Sequence, residues 1–278
     1  MVKMTGVWDR TSDFLRDDAA RWFPVAVGLI FLPNLLSGIA DGAVAGQPTA
    51  MSAATGIAAI AFALLTLWGG AAISALAMRV SRPGEAVAHA GRRLPVIVGL
   101  TLLLLAIAVA LVVPLALILA AGGVDMTRLA ATESTMPEMS GGTAMLLLAY
   151  GLTLSIVSLW VSARLLVLVP VILAERLGVK SIGRAWRLTR GHGLRLVGVL
   201  LLYGLVAGIS TMAVSAVAGL AGALVSGDTP GIGIGTVLVA AAVAVVATLL
   251  TLVQGAFVGK LYAALTSVDG VGPGEIIA

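Results

Sequence analysis

The chain has 278 residues, of which 60% are hydrophobic and 11% are charged. A water-soluble domain carries roughly twice that charged fraction, and the mean hydropathy is +1.11, so the composition excludes an ordinary soluble protein and indicates an integral membrane protein. The chain lacks cysteine and has two histidines, His89 and His192, which excludes disulfides, thiolate metal sites and a His-rich metal site.

The chain begins with a charged segment and continues as a series of apolar runs. Residues 1–21 predict a cytoplasmic amphipathic helix. Six runs of about 20 or more apolar residues follow, each long enough in helix to cross a bilayer. They lie near residues 22–40, 52–78, 94–121, 143–174, 195–225 and 234–262. The expected fold is an all-α bundle of six transmembrane helices over 22–262 with a cytoplasmic tail over 263–278, and we expect a bend in the fourth span at Pro170.

The first apolar run has a second interpretation as a cleaved signal peptide. In "GAVAGQ", Ala43 and Ala45 stand at the spacing of a signal-peptidase site. The preceding segment, however, contains four aspartates, whereas a signal peptide begins with net positive charge. We therefore predict that the first span is retained.

The distribution of Lys and Arg predicts the orientation. All of them except Arg128 and Arg164 lie before the first span, in the second and fourth connections, or near the ends of spans on that same side. Because positively charged loops stay in the cytoplasm, both termini are predicted to be cytoplasmic, in a bacterial plasma membrane. The net charge of +4 is then a topology signal, and nucleic acid is not an expected partner.

The most charged stretch is "ERLGVKSIGRAWRLTRGHG", residues 175–193. On a helix its cations fall within one sector of about 120°, with apolar side chains and Trp186 on the rest. This pattern predicts a cytoplasmic helix lying at the interface and binding anionic headgroups. The predicted headgroup-binding residues are Arg176, Lys180, Arg184, Trp186, Arg187 and Arg190. The alternative is that these cations only set the topology.

An earlier stretch, "SRPGEAVAHAGRRLP" from Ser81, has a similar pattern. It predicts a second cytoplasmic interfacial helix, capped by Ser81 and started by Pro83. Each basic stretch is followed by a similar entry into an apolar run, so the chain has a possible degenerate repeat of span, interfacial helix and span. Repeats of this kind often place a site between the two halves.

Polar side chains within the apolar runs are candidates for function, because they are costly to bury in hydrocarbon. The candidates are Asn34, Arg164, Glu175 and Gln254. Arg164 has two interpretations: an anion or lipid-phosphate contact, or a side chain that extends to the interface. Two glycine pairs have the spacing that lets helices approach closely: Gly204 with Gly208, and Gly255 with Gly259. Catalytic motifs such as HExxH and GxSxG are absent, so we expect neither enzyme activity nor a cofactor.

The run Arg164, Pro170, Glu175 and Gly178, followed by "SIGRAWRLTRGHG", resembles the membrane region of the glycerophosphodiester phosphodiesterase membrane-domain family. The segment "GEAVAHAGRRLP" is similar to the earlier basic helix of that family. In some relatives this region precedes a soluble phosphodiesterase domain. Only 16 residues follow Tyr262 here, so the resemblance does not imply phosphodiesterase activity for this chain.

The expected function is that of a non-enzymatic multi-pass membrane protein, either a lipid-interacting or a scaffold module. Its expected partners are membrane phospholipids, with a partner membrane protein or a second copy of the chain as further candidates. The alternative is a small-molecule or lipid transporter with a pathway between the two half-repeats, near Asn34, Arg164 and Gln254. A cavity reaching Arg164 would favour transport, and a closed bundle would favour the lipid or scaffold function.

Overall fold

The computed structural model describes residues 4–44, 49–78, 82–122, 140–175, 177–226 and 233–268. These residues are almost entirely helical, with no strand among them, and they contain six helical segments long and apolar enough to cross a membrane. The predicted all-α class and number of spans are confirmed. The elements are α1 (Met4–Asp17), α2 (Ala19–Ala26), a π-helical turn (Val27–Phe31), α3 (Leu32–Val44), α4 (Thr49–Ala77), α5 (Pro83–Ala121), α6 (Gly141–Arg164), α7 (Leu168–Glu175), α8 (Lys180–Leu188), α9 (Gly193–Ser226) and α10 (Ile234–Val268).

Helix α10 lies at the centre of the best packed part of the bundle, where it contacts α1, α3, α4 and α9. Glycines on α10 permit the close approach to α4. A Cβ on Gly255 would lie 3.1 Å from the carbonyl oxygen of Gly70, and one on Gly259 would lie 2.7 Å from that of Ser74. The Ser74 hydroxyl also donates a hydrogen bond to the carbonyl oxygen of Gly255 at 3.0 Å. The predicted close approach at Gly255 and Gly259 is confirmed.

The other predicted glycine pair has a different environment. Among the described residues, no atom outside the backbone of α9 lies within 4 Å of where a Cβ would stand on Gly204 or Gly208, so the prediction of close packing there is wrong. Much of α9, with the later part of α5 and the early part of α6, exposes apolar side chains around most of each helix. Surfaces of this kind are typical of helices solvated by acyl chains.

The first basic segment, residues 83–93, is the beginning of α5 and continues into the third span without a break. The indole N–H of Trp68 donates to the carbonyl oxygen of Val87 at 2.9 Å, and Nε2 of His89 lies 2.8 Å from that of Leu173. These contacts fix the segment against α4 and α7. The prediction of a separate interfacial helix here is therefore wrong, and the internal repeat is not confirmed.

The fourth span is interrupted by a turn at residues 165–167, between α6 and α7. The predicted bend at Pro170 thus lies three to five residues earlier. Proline lacks an N–H and its ring clashes with the carbonyl four residues before it, which here belongs to Leu166. Within α7, Pro170 stands in the first turn, where a missing N–H is tolerated.

The N-terminal helix α1 packs along α10 through Val7, Thr11 and Phe14, which are buried. The ammonium group of Lys260 lies 5.0 Å from the Phe14 ring centroid. We call this end of the bundle the basic end, formed by α1, the start of α5, Glu175, residues 177–195 and the last turns of α10. Of the predicted tail, residues 269–278 lie outside the described residues.

Candidate functional site

Glu175, the last residue of α7, joins three helices at the basic end. Its two carboxylate oxygens each lie 3.0 Å from Nε of Arg184 on α8. The hydroxyl of Tyr262 on α10 donates to the same carboxylate at 3.1 Å. The side chains of Glu175 and Arg184 are 14% and 27% exposed. This ion pair therefore fixes α8 against the bundle in a partly desolvated position, where loss of one partner is costly.

Helix α8 turns one side toward the bundle and the other away from it. Ser181, Ala185 and Leu188 are buried, at the spacing of one helix face. Outward from the bundle lie the cations Lys180, Arg187 and Arg190, all exposed.

The exposed cations of α8 and of the turn after it lack counter-charges among the described residues. None of Lys180, Arg187 and Arg190 forms an ion pair with any residue that the structure describes. Residues 177–226 contain no acidic side chain at all. Arg184 differs from its neighbours in the predicted headgroup row, because its guanidinium is bound by Glu175. Arg176 lies outside the described residues.

Arg164, the last residue of α6, lies against two tryptophans. Its guanidinium carbon is 5.0 Å from the ring centroid of Trp160 and 5.4 Å from that of Trp186. The two rings meet edge to face with centroids 5.0 Å apart. Such distances are those of cation–π contacts. Trp186 of α8, which was predicted to bind headgroups, therefore packs on the end of α6.

The hydrogen-bonding groups of this cluster are incompletely paired. Thr189 donates from its hydroxyl to the carbonyl oxygen of Arg164 at 3.1 Å. Nε and Nη1 of Arg164 are buried without a hydrogen-bond partner among the described residues, and so are both ring nitrogens of His192. Gly191, with φ of 87°, occupies the left-handed region that glycine adopts at low cost. It turns the chain from α8 toward α9 and brings Gly193 against the Arg164 guanidinium.

Asn34 and Gln254 line a separate cavity of about 520 Å³ between α3, α4, α10 and the bend in the fourth span. Its wall also contains the hydroxyls of Ser37, Thr66 and Thr251, and it has no charged residue. Leu166 and Val169 close it on the side of the bend. Arg164 and Glu175 are not part of its lining, so the four predicted intramembrane candidates form two separate groups.

The cavity wall is fixed by hydrogen bonds. The Asn34 amide donates to the carbonyl oxygen of Ile30 at 2.7 Å, and Ile30 belongs to the π-helical turn that precedes Pro33. The Tyr203 hydroxyl of α9 lies 3.2 Å from Oε1 of Gln254. π-Helical turns frequently occur at functional sites, and this one directs the start of α3 toward the cavity.

Sequence reasoning missed several members of both groups. Trp160 stands four residues before Arg164, a helical spacing that could have predicted their contact. Tyr262 and Tyr203 lie far along the chain from Glu175 and Gln254, so only the tertiary fold brings them together. His192 was considered as a metal ligand alone, and its position beside Gly193 has no local signal.

No family model, curated protein or solved structure matches the chain. The resemblance to the glycerophosphodiester phosphodiesterase membrane-domain family, carried by residues 164–193, therefore stays a prediction. Within the described residues no group of three or more His, Cys, Asp or Glu side chains could hold a metal ion. The features that bear on function are thus the basic helix α8, the Arg164 cluster and the cavity at Asn34 and Gln254.

Proposed function

We propose that this chain is a non-enzymatic multi-pass protein of the bacterial plasma membrane, with both termini in the cytoplasm, and that α8 binds anionic lipid headgroups. The observation that supports this proposal most strongly is the arrangement of Lys180, Arg187 and Arg190. All three are exposed and without an acidic partner among the described residues. Lys180 and Arg187 stand on a helix that the Glu175–Arg184 ion pair attaches to the bundle, and Arg190 lies in the turn that follows it. In this function, the protein is a lipid-interacting or scaffold module.

The strength of the attraction follows from the number of free cations. A cation close to an anionic leaflet contributes about 1 kcal/mol, so Lys180, Arg187 and Arg190 together contribute about 3 kcal/mol before salt screening. The orientation of α8 is set by its buried face, so little conformational entropy is lost when the cations meet a lipid surface. Arg184 contributes to this attachment by pairing with Glu175, and its own headgroup contact is secondary.

The test compares lipid selectivity in two variants with equal loss of charge. The purified protein is reconstituted in nanodiscs with defined mixtures of neutral lipid and phosphatidylglycerol, and the enrichment of phosphatidylglycerol around the protein is measured by native mass spectrometry. We expect the double variant Arg187→Gln/Arg190→Gln to lower this enrichment by up to about 30-fold. The matched control is Arg10→Gln/Arg16→Gln on α1, two exposed cations at the same end.

The control separates lipid binding by α8 from a general effect of charge. The proposal requires the α8 variant to lose much more selectivity than the α1 variant. An equal loss of selectivity in both variants would mean that the cations act only through the total charge of the basic end. Cations that merely set the topology would behave in this way. That result, or an unchanged selectivity in the α8 variant, would contradict the proposal.

A second candidate function, transport of a small neutral solute, is favoured by the cavity at Asn34 and Gln254. Its wall offers amides and hydroxyls and no charge, so a neutral hydrogen-bonding molecule suits it better than an ion. Because the chain has no cysteine, Asn34→Cys and Gln254→Cys each create a single thiol. Reaction with a membrane-impermeant thiol reagent from both sides of the membrane would support a pathway. Protection from both sides would exclude one.

A further inference from the structure

Arg164 retains an unmatched charge inside the protein. Two of its three guanidinium nitrogens, Nε and Nη1, are buried and have no acceptor among the described residues. Trp160 and Trp186 offer ring faces, which attract a cation but leave its N–H groups without an oxygen acceptor. A buried group in this state calls for a ligand, because an unpaired polar group costs free energy when it is removed from water.

The acidic residue nearest along the chain is not available to Arg164. Glu175 is bound by Arg184 and Tyr262, and no acidic side chain follows it up to residue 226. His192, next to Gly193 in the chain, also has two ring nitrogens without partners among the described residues. Arg164 thus presents unpaired donors and a positive charge, and no described residue supplies an anion to receive them.

The backbone of Gly193 lies beside the guanidinium of Arg164. Gly193 has no side chain, and a Cβ there would lie 3.5 Å from Nε and 3.6 Å from Nη2 of Arg164. These are distances of ordinary van der Waals contact, so a methyl group at residue 193 would cover part of the guanidinium.

We propose that Arg164, beside Gly193, forms a binding site for the phosphate group of one membrane phospholipid. A guanidinium matches the geometry of phosphate oxygens better than any other side chain, and Trp160 and Trp186 supply the aromatic contacts usual at a membrane interface. The proposal deepens the function proposed for α8 and rests on the lipid surface assumed there, but it assigns one lipid to one site.

A lipid fits the surroundings better than a soluble phosphate. Val157, Trp160 and Arg164 follow one another at intervals of three and four residues and so form a stripe on one face of α6. Val157 and Trp160 are 47% and 40% exposed. This stripe extends roughly 10 Å from the guanidinium along the span. It offers an apolar surface for an acyl chain whose phosphate lies at Arg164.

The experiment measures the phospholipid that remains on the purified protein after the detergent micelle is removed in native mass spectrometry. We expect one phospholipid per chain in the wild type. Arg164→Gln should lower the retained fraction about tenfold or more, since it removes a charged hydrogen-bond donor. Gly193→Ala should also lower it, because it places a methyl group against the guanidinium. Its methyl group meets no clash, so this variant remains informative even where Arg164→Gln folds poorly.

The source of the phosphate is tested by competition. Millimolar inorganic phosphate or glycerol 3-phosphate should leave the retained phospholipid in place. Full displacement by either one would assign the site to a soluble phosphate ester and overturn the lipid assignment. Equal retention of phospholipid by the wild type, Arg164→Gln and Gly193→Ala would overturn the site itself.

The variants also separate this site from the function of α8. Arg187→Gln/Arg190→Gln should lose selectivity for phosphatidylglycerol in nanodiscs and still retain the single phospholipid. If that double variant keeps its selectivity while Gly193→Ala loses the bound lipid, the proposed function of α8 fails and the Arg164 site stands. If the double variant loses its selectivity while Gly193→Ala keeps the bound lipid, the Arg164 site fails and the proposed function of α8 stands.

Discussion

The two basic segments, residues 83–93 and 180–190, have similar sequence patterns and different structures. The first is the start of α5 and runs directly into a span, whereas the second is a separate short helix, α8, between two turns. Hydrogen bonds from Trp68 and His89 hold the first, and the Glu175–Arg184 ion pair holds the second. The pattern of cations thus predicts that both segments lie at the basic end, but it does not predict whether a segment forms a separate helix or continues into a span.

A glycine in the first segment and another directly after the second account for the difference. Gly91 is helical and faces Trp68, since a Cβ there would lie 3.1 Å from the indole ring. Gly191 has φ of 87° and ends the helical path before α9. The same residue type therefore allows close packing in one segment and a left-handed turn in the other. The consequence is that only α8 is free to present its cations on a helix of its own.

The largest expected effect is the loss of stability when the ion pair of the second segment is broken, compared with the ion pair of the first. Glu175→Gln leaves Arg184 partly buried without a counter-charge, and we expect a loss of about 2 to 4 kcal/mol in stability. The matched control is Glu85→Gln in the first segment, whose pair with Arg82 spans 3.9 Å between side chains that are 56% and 81% exposed. That change should stay within about 0.5 kcal/mol.

A double-mutant cycle completes this test. Thermal unfolding in detergent is measured for Glu175→Gln, Arg184→Gln and the double variant. The two losses should not add, because the second substitution removes the charge that the first left unpaired. Additive losses, or an equal effect of Glu85→Gln, would show that the ion pair does not attach α8 to the bundle.

A smaller effect is expected at the glycine turn. Gly191→Ala places a Cβ on a left-handed residue, which costs about 1 to 2 kcal/mol. Asparagine tolerates this conformation better than alanine, so Gly191→Asn should recover part of the loss. Gly183→Ala on α8 serves as the control, since no atom lies within 4 Å of its Cβ position. Differential scanning fluorimetry should rank Gly191→Ala below Gly191→Asn, and Gly191→Asn below Gly183→Ala. A Gly191→Ala variant as stable as Gly183→Ala would contradict the role of the left-handed turn.

Much of the fold could be predicted because its signals are local. Runs of apolar residues define the six spans by length alone, and the Gly255 and Gly259 spacing predicted a close helix contact that the structure contains. The Gly204 and Gly208 spacing failed because the same local pattern carries no information about which helix, if any, faces it. The prediction of a separate helix at residues 83–93 failed for a related reason, since the contacts of Trp68 and His89 that hold this segment in line with the third span are tertiary.

The candidate site was predicted less completely. The positions of Arg164, Glu175, Asn34 and Gln254 follow from the rarity of polar residues in apolar runs, and all four lie at one of two sites in the structure. Their partners could not be predicted. Glu175 contacts Arg184, nine residues later in the chain, and Tyr262, eighty-seven residues later. Both contacts depend on the direction of α7 after the turn at residues 165–167, and the sequence pattern does not give the position of that turn.

The smallest structural change tests whether both basic segments face one compartment. Ala88→Cys and Arg187→Cys place single thiols at exposed positions of the two segments, in a chain that otherwise has none. Surface substitutions of this kind leave stability nearly unchanged. In intact cells an impermeant maleimide should label neither position and, after the membrane is opened, label both, while Arg128→Cys should react in intact cells. Labelling of Ala88→Cys and Arg187→Cys from opposite sides would separate the segments that the fold brings together at the basic end. Labelling of Arg128→Cys and Arg187→Cys from the same side would refute the orientation, and with it the access of α8 to cytoplasmic headgroups.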